Sequence, residues 1–366
     1  MKDEMIPIYK TYRPANGYKC THDAIDSGWF SIGKYNEEAV YLLQEKFGYK
    51  YVLLTSSGTA SNHLMVESLK WMFPKHKKVL VPNNTYVAAW NPFLFSRHHS
   101  LYSLDTNLDT WNVDLKDPSL HDEGQIFLAV HNLGNPIDVS LVRSLYPRLL
   151  IVEDNCEGLG GVYSQDKYTG TDSVYSTLSF YSNKNIGIGE GGAFITKDKA
   201  SYQYALMLHG QGQSDQKYVH NVLGYNYRMT NIQAALLCDQ LQSYEEIMNK
   251  KTRVFDFYYN CLYEANMKLQ QVSYGCKHSK WMLGVRIIGS SGYHEAEEFF
   301  RARGIETRPM FYPINTHHHL RRIAGNGSRN ALLLSSEGFM IPSYPDLTDE
   351  QLEHIVNTVR AYSKEV

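Results

Sequence analysis

Short apolar runs separated by helical stretches limit how this chain can fold. Tyr51-Val52-Leu53-Leu54-Thr55 reads as a strand, and strand-like runs follow at Lys78 to Val81, Ile126 to Val130 and Leu149 to Val152. Residues 36 to 47 read as an amphipathic helix stopped by Gly48. Ser56-Ser57-Gly58-Thr59-Ala60 opens a second helix that runs to about Met72, and Val139 to Tyr146 supplies another. Strands that alternate with helices bury their apolar sides as a parallel or mixed sheet covered on both faces, which is the α/β class. A long helical region spans about Asn231 to Tyr263, with a break expected near Asn249. After it come a strand from Trp281 to Ile288, a helix from Tyr293 to Arg303 and a closing helix from Asp349 to Tyr362. The expected organisation is a large domain over residues 1–245 and a smaller C-terminal α+β domain over 246–366.

With 366 residues and 43% hydrophobic content, the chain can bury a substantial core. The net charge of −2, without a long basic run, lacks the electrostatic footprint of a nucleic-acid binder and argues against docking on a membrane surface. No apolar run approaches the roughly 20 residues that span a bilayer, and Met1-Lys2-Asp3-Glu4-Met5-Ile6 lacks a signal-peptide apolar core. Cys20, Cys156, Cys238, Cys261 and Cys276 are scattered, with no C-x-x-C. They read as free thiols in a reducing compartment, so a cytoplasmic protein is expected.

The chemistry concentrates between Ser179 and Gly192, Ser-Phe-Tyr-Ser-Asn-Lys-Asn-Ile-Gly-Ile-Gly-Glu-Gly-Gly. Lys184 stands just past a strand-like run (Val174 to Tyr181), a glycine-dense turn follows, and Ala193-Phe194-Ile195-Thr196 reads as a second strand. A lysine at the mouth of a sheet, beside backbone stripped of side chains, suits a covalently bound aldehyde cofactor, provided its surroundings keep the amine partly neutral. Pyridoxal phosphate, an electron sink, is the natural partner. Gly187, Gly189 and Gly192 also match the dinucleotide pattern G-x-G-x-x-G. That motif must open a helix, and here it runs into a strand, so the nicotinamide reading fails on context.

Four further segments fit such a cofactor, each with a plainer alternative. Ser57-Gly58-Thr59-Ala60 places small residues at a helix start, where free N–H groups and the positive dipole end can cradle a phosphate; an ordinary N-cap reads the same way. Asp154, in Ile151-Val152-Glu153-Asp154-Asn155-Cys156-Glu157, sits where open α/β sheets place their sites. Its carboxylate could bond a pyridine nitrogen, or it could merely cap a loop. Glu157 is a second carboxylate, with the ring hydroxyl as its candidate neighbour. Tyr86 could stack on the ring or be a buried core tyrosine. Gly224-Tyr225-Asn226-Tyr227-Arg228-Met229 offers an asparagine and an arginine ahead of the long helix.

The order and spacing of these segments resemble the DegT/StrS family of sugar aminotransferases, from Ile6-Pro7 to Ile341-Pro342-Ser343-Tyr344-Pro345. The resemblance implies the aspartate-aminotransferase fold (PLP fold type I), with a mixed, mostly parallel sheet flanked by helices. It implies that Lys184 is the Schiff-base lysine and proton shuttle, and that Asp154 pairs with the pyridine nitrogen. Gly58, Thr59 and Ser179 would hold the phosphate, beside Ser57, and Tyr86 would stack on the ring. Asn226 would reach the phosphate from the partner subunit of a homodimer. A related branch, the sugar 3-dehydratases, carries histidine at the lysine position; Lys184 therefore favours transamination, with L-glutamate as the expected amino donor.

Gly304-Ile305-Glu306-Thr307-Arg308-Pro309-Met310-Phe311-Tyr312-Pro313 resembles the corresponding stretch of GDP-perosamine synthases, which aminate GDP-4-keto-6-deoxymannose. It puts Arg308, with Tyr312 close by, near the substrate diphosphate, a role that suits a charged fork. Trp29, Ser31 and Gly33 resemble a segment that borders the sugar pocket. UDP- and dTDP-linked 4-keto-6-deoxy sugars stay open as acceptors, and a non-catalytic PLP-binding regulator is the alternative outside enzymology. His317-His318-His319 is a poor ligand set, because adjacent side chains diverge, so no metal is expected. His131 and His209 receive no role.

Overall fold

The computed structural model describes residues 5–121 and 124–366. Its strands are β1 (Tyr51–Thr55), β2 (Lys78–Pro82), β3 (Ser100–Leu104), β4 (Ile126–Val130), β5 (Leu150–Asp154), β6 (Tyr175–Ser179), β7 (Gly192–Thr196), β8 (Met267–Leu269), β9 (Leu283–Ile287), β10 (Arg308–Pro309), β11 (Ala324–Gly325) and β12 (Gly338–Ile341). The larger sheet runs β1-β7-β6-β5-β4-β2-β3-β11. All its pairings are parallel except the two made by β7. β4 is buried at every position, as a central parallel strand with both faces covered must be.

Side chains alternate across this sheet. Val79, Val81, Leu128 and Val152 pack with Leu64, Met65 and Leu69 of the helix Gly58–Met72 on one face. Leu80, Phe127, Ala129 and Ile151 pack with Val139 and Val142 of the helix Val139–Leu145 on the other. Each such fully buried Val, Leu, Ile, Met or Phe side chain contributes about 1.5–3 kcal/mol. Parallel pairing brings the carboxyl ends of β4 and β5 together, with Val130 opposite Asp154. Antiparallel pairing sets Gly192, at the start of β7, between Thr55 and Ser179, the last residues of β1 and β6. Three motifs far apart in sequence therefore meet at one edge. Gly192 has no room for a side chain, since a Cβ would lie 2.5 Å from the Ser57 carbonyl oxygen.

The smaller sheet, β10-β12-β9-β8, is antiparallel. The strand expected from Trp281 begins only at Leu283, which leaves Trp281 free of the ladder. The long helical region breaks at Ser243, not near Asn249: the helices are Asn231–Gln242 and Tyr244–Cys261. Packing moves the break. Tyr244 and Ile247 belong to the core beside the large sheet, while Val254, Phe255 and Tyr258 belong to the core under the small one. The second helix thus bridges both cores. β11, from beyond position 245, returns to the edge of the large sheet beside β3.

Candidate active site

At the carboxyl ends of the parallel strands lies a cavity of about 680 Å³. Ser57, Gly58, Thr59, Tyr86, Asp154, Glu157, Ser179, Lys184, Arg308 and Tyr312 all line it. Trp29, Ser31 and Asn226 do not; all three are exposed on this single chain.

Lys184 is held by a closed turn. Its N–H donates to the Tyr181 carbonyl at 2.8 Å, the Ile188 N–H donates to the Phe180 carbonyl at 2.9 Å, and the glycines then enter β7. The antiparallel β6–β7 pair confirms that this glycine run opens a strand, so the dinucleotide pattern lacks its helix. The Lys184 amine lies 3.8 Å from a Glu157 carboxylate oxygen and 3.8 Å from the centre of the Trp281 ring. Glu157 is buried, and its other oxygen accepts the Leu133 N–H at 2.8 Å.

Burial pushes the Glu157 carboxyl up to about 7, against the opposing pull of the Lys184 ammonium and the Leu133 N–H. Because this folded value lies above the ordinary 4.5, Glu157 contributes stability that is complete below about 4.5 and lost as pH rises through about 7. Glu157→Gln is therefore expected to flatten the dependence of Tm on pH across that window. A variant whose Tm tracks the native protein throughout would contradict this account.

Asp154, at the end of β5, is also buried. Alternation along the strand sends Asp154 to the cavity, while the neighbouring Glu153 joins a separate polar cluster. One Asp154 oxygen accepts the Asn62 side-chain N–H at 2.8 Å and the other accepts the Cys156 N–H at 3.1 Å. Asn62 is fixed in turn by Thr177, whose hydroxyl donates to its amide oxygen at 2.6 Å. Among the described residues no cationic side chain bonds this carboxylate, which suits it to receive a proton-bearing ring nitrogen. Asn62 and Thr177 escaped sequence reading because neither residue type signals chemistry and their partners lie 92 and 115 positions away.

Ser57 caps the helix Gly58–Met72, its hydroxyl accepting the Ala60 N–H at 3.1 Å. The first-turn N–H groups of Gly58 and Thr59 have no intrahelical acceptor and, with the helix dipole, favour an anion. Gly58 is needed here: a Cβ would lie 2.8 Å from the Ser179 Cβ and 3.2 Å from the Cys156 sulfur. An amine, a presented carboxylate and an anion cradle around one cavity match the aldehyde, ring nitrogen and phosphate of pyridoxal phosphate.

The rim is more open. Tyr86 is 60% exposed and its ring centre lies 6.4 Å from that of Phe311. The Arg308 guanidinium lies over the Tyr9 ring at 5.1 Å. His317 packs on Trp90 with ring centres 5.6 Å apart, whereas His319 bonds Asn91 at 2.8 Å, so these histidines face different neighbours. His131 is structural. The Ile137 N–H donates to its Nδ1 at 3.0 Å, which leaves Nε2–H to donate to buried Glu153 at 2.9 Å. His209 bonds the Leu54 carbonyl at 3.1 Å, and burial drives its imidazole down to about 4.

The fold and the site define a lysine-dependent pyridoxal phosphate enzyme. Residues 16–360 match the DegT/DnrJ/EryC1/StrS aminotransferase family, and the chain belongs to that family. It is a pyridoxal phosphate-dependent sugar aminotransferase. It is 30% identical to the GDP-perosamine synthase of Vibrio cholerae, over 98% of this chain and 99% of that protein. It is 29% identical to the GDP-perosamine synthase of Escherichia coli O157:H7, over 98% of each chain. Among solved structures, a Helicobacter pylori aminotransferase of pseudoaminic acid biosynthesis superposes with a TM-score of 0.91 at 19% identity, over all of both chains. That likeness bears on fold alone.

Proposed function

We propose that this enzyme moves the amino group of L-glutamate to the 4-keto carbon of GDP-4-keto-6-deoxymannose, giving GDP-perosamine. The observation that carries the reading is Lys184, set beside Glu157 in a cavity that Asp154 and Arg308 also line. The similarity to two GDP-perosamine synthases over nearly the whole chain supports the choice of acceptor. Pyridoxal phosphate, when bound, supplies the electron sink that lets an amino group leave one carbon and join another. Lys184 provides the attachment point and the amine that carries protons between carbons. Asp154 keeps the ring nitrogen protonated. Ser57, Gly58, Thr59 and Ser179 face the phosphate, Tyr86 faces the ring, and Arg308 and Tyr312 meet the nucleotide diphosphate.

Arg308→Ala is expected to raise KM for the nucleotide sugar by about 10- to 150-fold, the ~1.5–3 kcal/mol of charged hydrogen bonds, with kcat nearly unchanged. Steady-state kinetics test this, and an unchanged KM would remove Arg308 from the substrate site.

The reading includes a homodimer that completes the site. The Asn231 side chain donates to the Trp29 carbonyl at 2.6 Å and the Asn231 N–H donates to the Phe30 and Ser31 carbonyls at 3.0 Å, so the segment bearing Trp29 and Ser31 is tied to the helix that follows Asn226. Trp29, Phe30 and Ile32 are 70%, 50% and 61% exposed, an apolar surface that suits burial against a second copy. Trp29 and Ser31 would then border the acceptor sugar and Asn226 would reach the partner's phosphate cradle. A division into two domains near residue 245 belongs to the same reading.

Incubation of the PLP-loaded protein with L-glutamate and, separately, GDP-, UDP- and dTDP-linked 4-keto-6-deoxy sugars tests the proposal by mass spectrometry. An amino sugar from the GDP substrate alone is expected. Amination of a UDP or dTDP sugar instead would keep the class and reject the acceptor, and amination of none would leave a PLP-binding regulator.

A further inference from the structure

We propose that Trp281 is a positioning residue that seats the free amine of Lys184, its indole face giving the ammonium a fixed resting place opposite the Glu157 carboxylate. The ring centre lies 3.8 Å from the Lys184 nitrogen, inside the range of a close cation–π contact, and Trp281 is only 5% exposed. Its indole N–H donates to the Asn183 carbonyl at 2.8 Å, so the ring is registered to the backbone just before the lysine it covers.

Two features hold the tryptophan in place. Lys280 adopts a left-handed backbone with φ of 58°, costly for a residue with a Cβ, and such strain persists only where the surroundings demand it. The Lys280 N–H donates to the His278 ring at 2.7 Å and its amine donates to the Thr252 hydroxyl at 2.9 Å, which holds that geometry. The buried amine of Lys251 donates to the Trp281 carbonyl at 2.8 Å and also to the Ser343 carbonyl. The Lys251 nitrogen also lies 5.2 Å from the centre of the Phe255 ring, and burial pulls its pKa down to about 7, so burying it is costly, and it clamps the residue that covers Lys184.

The seat matters because the amine must leave the cofactor, hold a proton and return within one catalytic cycle. A freely rotating lysine would have to be reordered at each step; one resting between an aromatic face and a carboxylate is already placed. The inference rests on the cofactor class and not on the choice of sugar.

The test uses the full chain freed of cofactor and a limiting amine-acylating reagent at fixed pH, with modification of Lys184 followed by peptide mass spectrometry. Trp281→Leu is expected to raise the Lys184 acylation rate about 30-fold, the ~2 kcal/mol of a desolvated cation–π contact converted at 1.36 kcal/mol per decade. Trp281→Phe keeps a weaker face and is expected to raise it about threefold. With cofactor restored, Trp281→Leu lowers kcat and leaves KM for the sugar nearly unchanged, and Trp281→Phe recovers most of the loss. Equal acylation rates in the folded leucine variant and the native protein overturn the proposal, as does a change confined to KM. Should Trp281→Leu not fold, Trp281→Phe alone decides, and a rate identical to the native one is the negative result. Borohydride reduction of the native protein with pyridoxal phosphate runs in parallel. Failure to join the cofactor to Lys184 there would count against the cofactor assignment, while the acylation series still judges Trp281.

Discussion

Lys184→Ala is expected to fold normally and to form no amino sugar, with turnover lowered at least ~10⁴-fold, because on the proposed roles one substitution removes both the covalent attachment and the proton carrier. Stability survives for a physical reason. Lys184 is the cation beside buried Glu157, and its attraction already opposes the rise in that carboxyl's pKa. Without the lysine the carboxyl rises further and stays protonated, so no bare charge is stranded in the interior. A circular dichroism melt, the visible spectrum after adding pyridoxal phosphate and product mass spectrometry check the three parts. Turnover within a hundredfold of native would sink the assignment of Lys184.

Asp154→Asn should be the next most damaging change, costing two to three decades in kcat. The substitution keeps the shape and an oxygen for the Cys156 N–H, but it removes the negative charge proposed to hold a ring nitrogen protonated. Leaving one member of a buried charge pair alone costs about 3–5 kcal/mol. The loss should fall on kcat in both half-reactions, measured separately with amino donor and with sugar. Native rates in either half would mean that another group partners the nitrogen.

Much of this site could be read from sequence because its parts are chemically marked. Lys184 follows a strand and precedes a glycine run in which Gly187 and Gly192 lie against backbone and Gly189 takes a positive φ, and Asp154 ends a buried strand. What escaped depends on distance along the chain. Asn62 orients Asp154 from 92 positions away, and Trp281 covers Lys184 by bonding Asn183 from 98 positions away. Neither residue type announces a role until the fold brings it near. The helix break went to Ser243 because the choice between two polar stretches was made by Tyr244 and Ile247 entering one core and Val254 and Phe255 another. Trp29, Ser31 and Asn226 were chosen by likeness to relatives, and they lie on the surface of the single chain, away from the cavity.

The two-residue strand β11 has a consequence for how this enzyme can be dissected. Among the described residues it alone flanks β3 on the outer side of the large sheet, and it comes from residues 324–325, far past the large sheet's other strands. A chain truncated at 245 would keep the cavity-lining motifs from Ser57 to Glu190, yet it would uncover the edge of β3 at Tyr102 and Ser103, the two positions that β11 pairs. Such an uncovered edge templates pairing between molecules. The shortened protein is therefore expected to self-associate and precipitate, so the C-terminal third acts as an intramolecular solubility guard for the part that holds the cofactor.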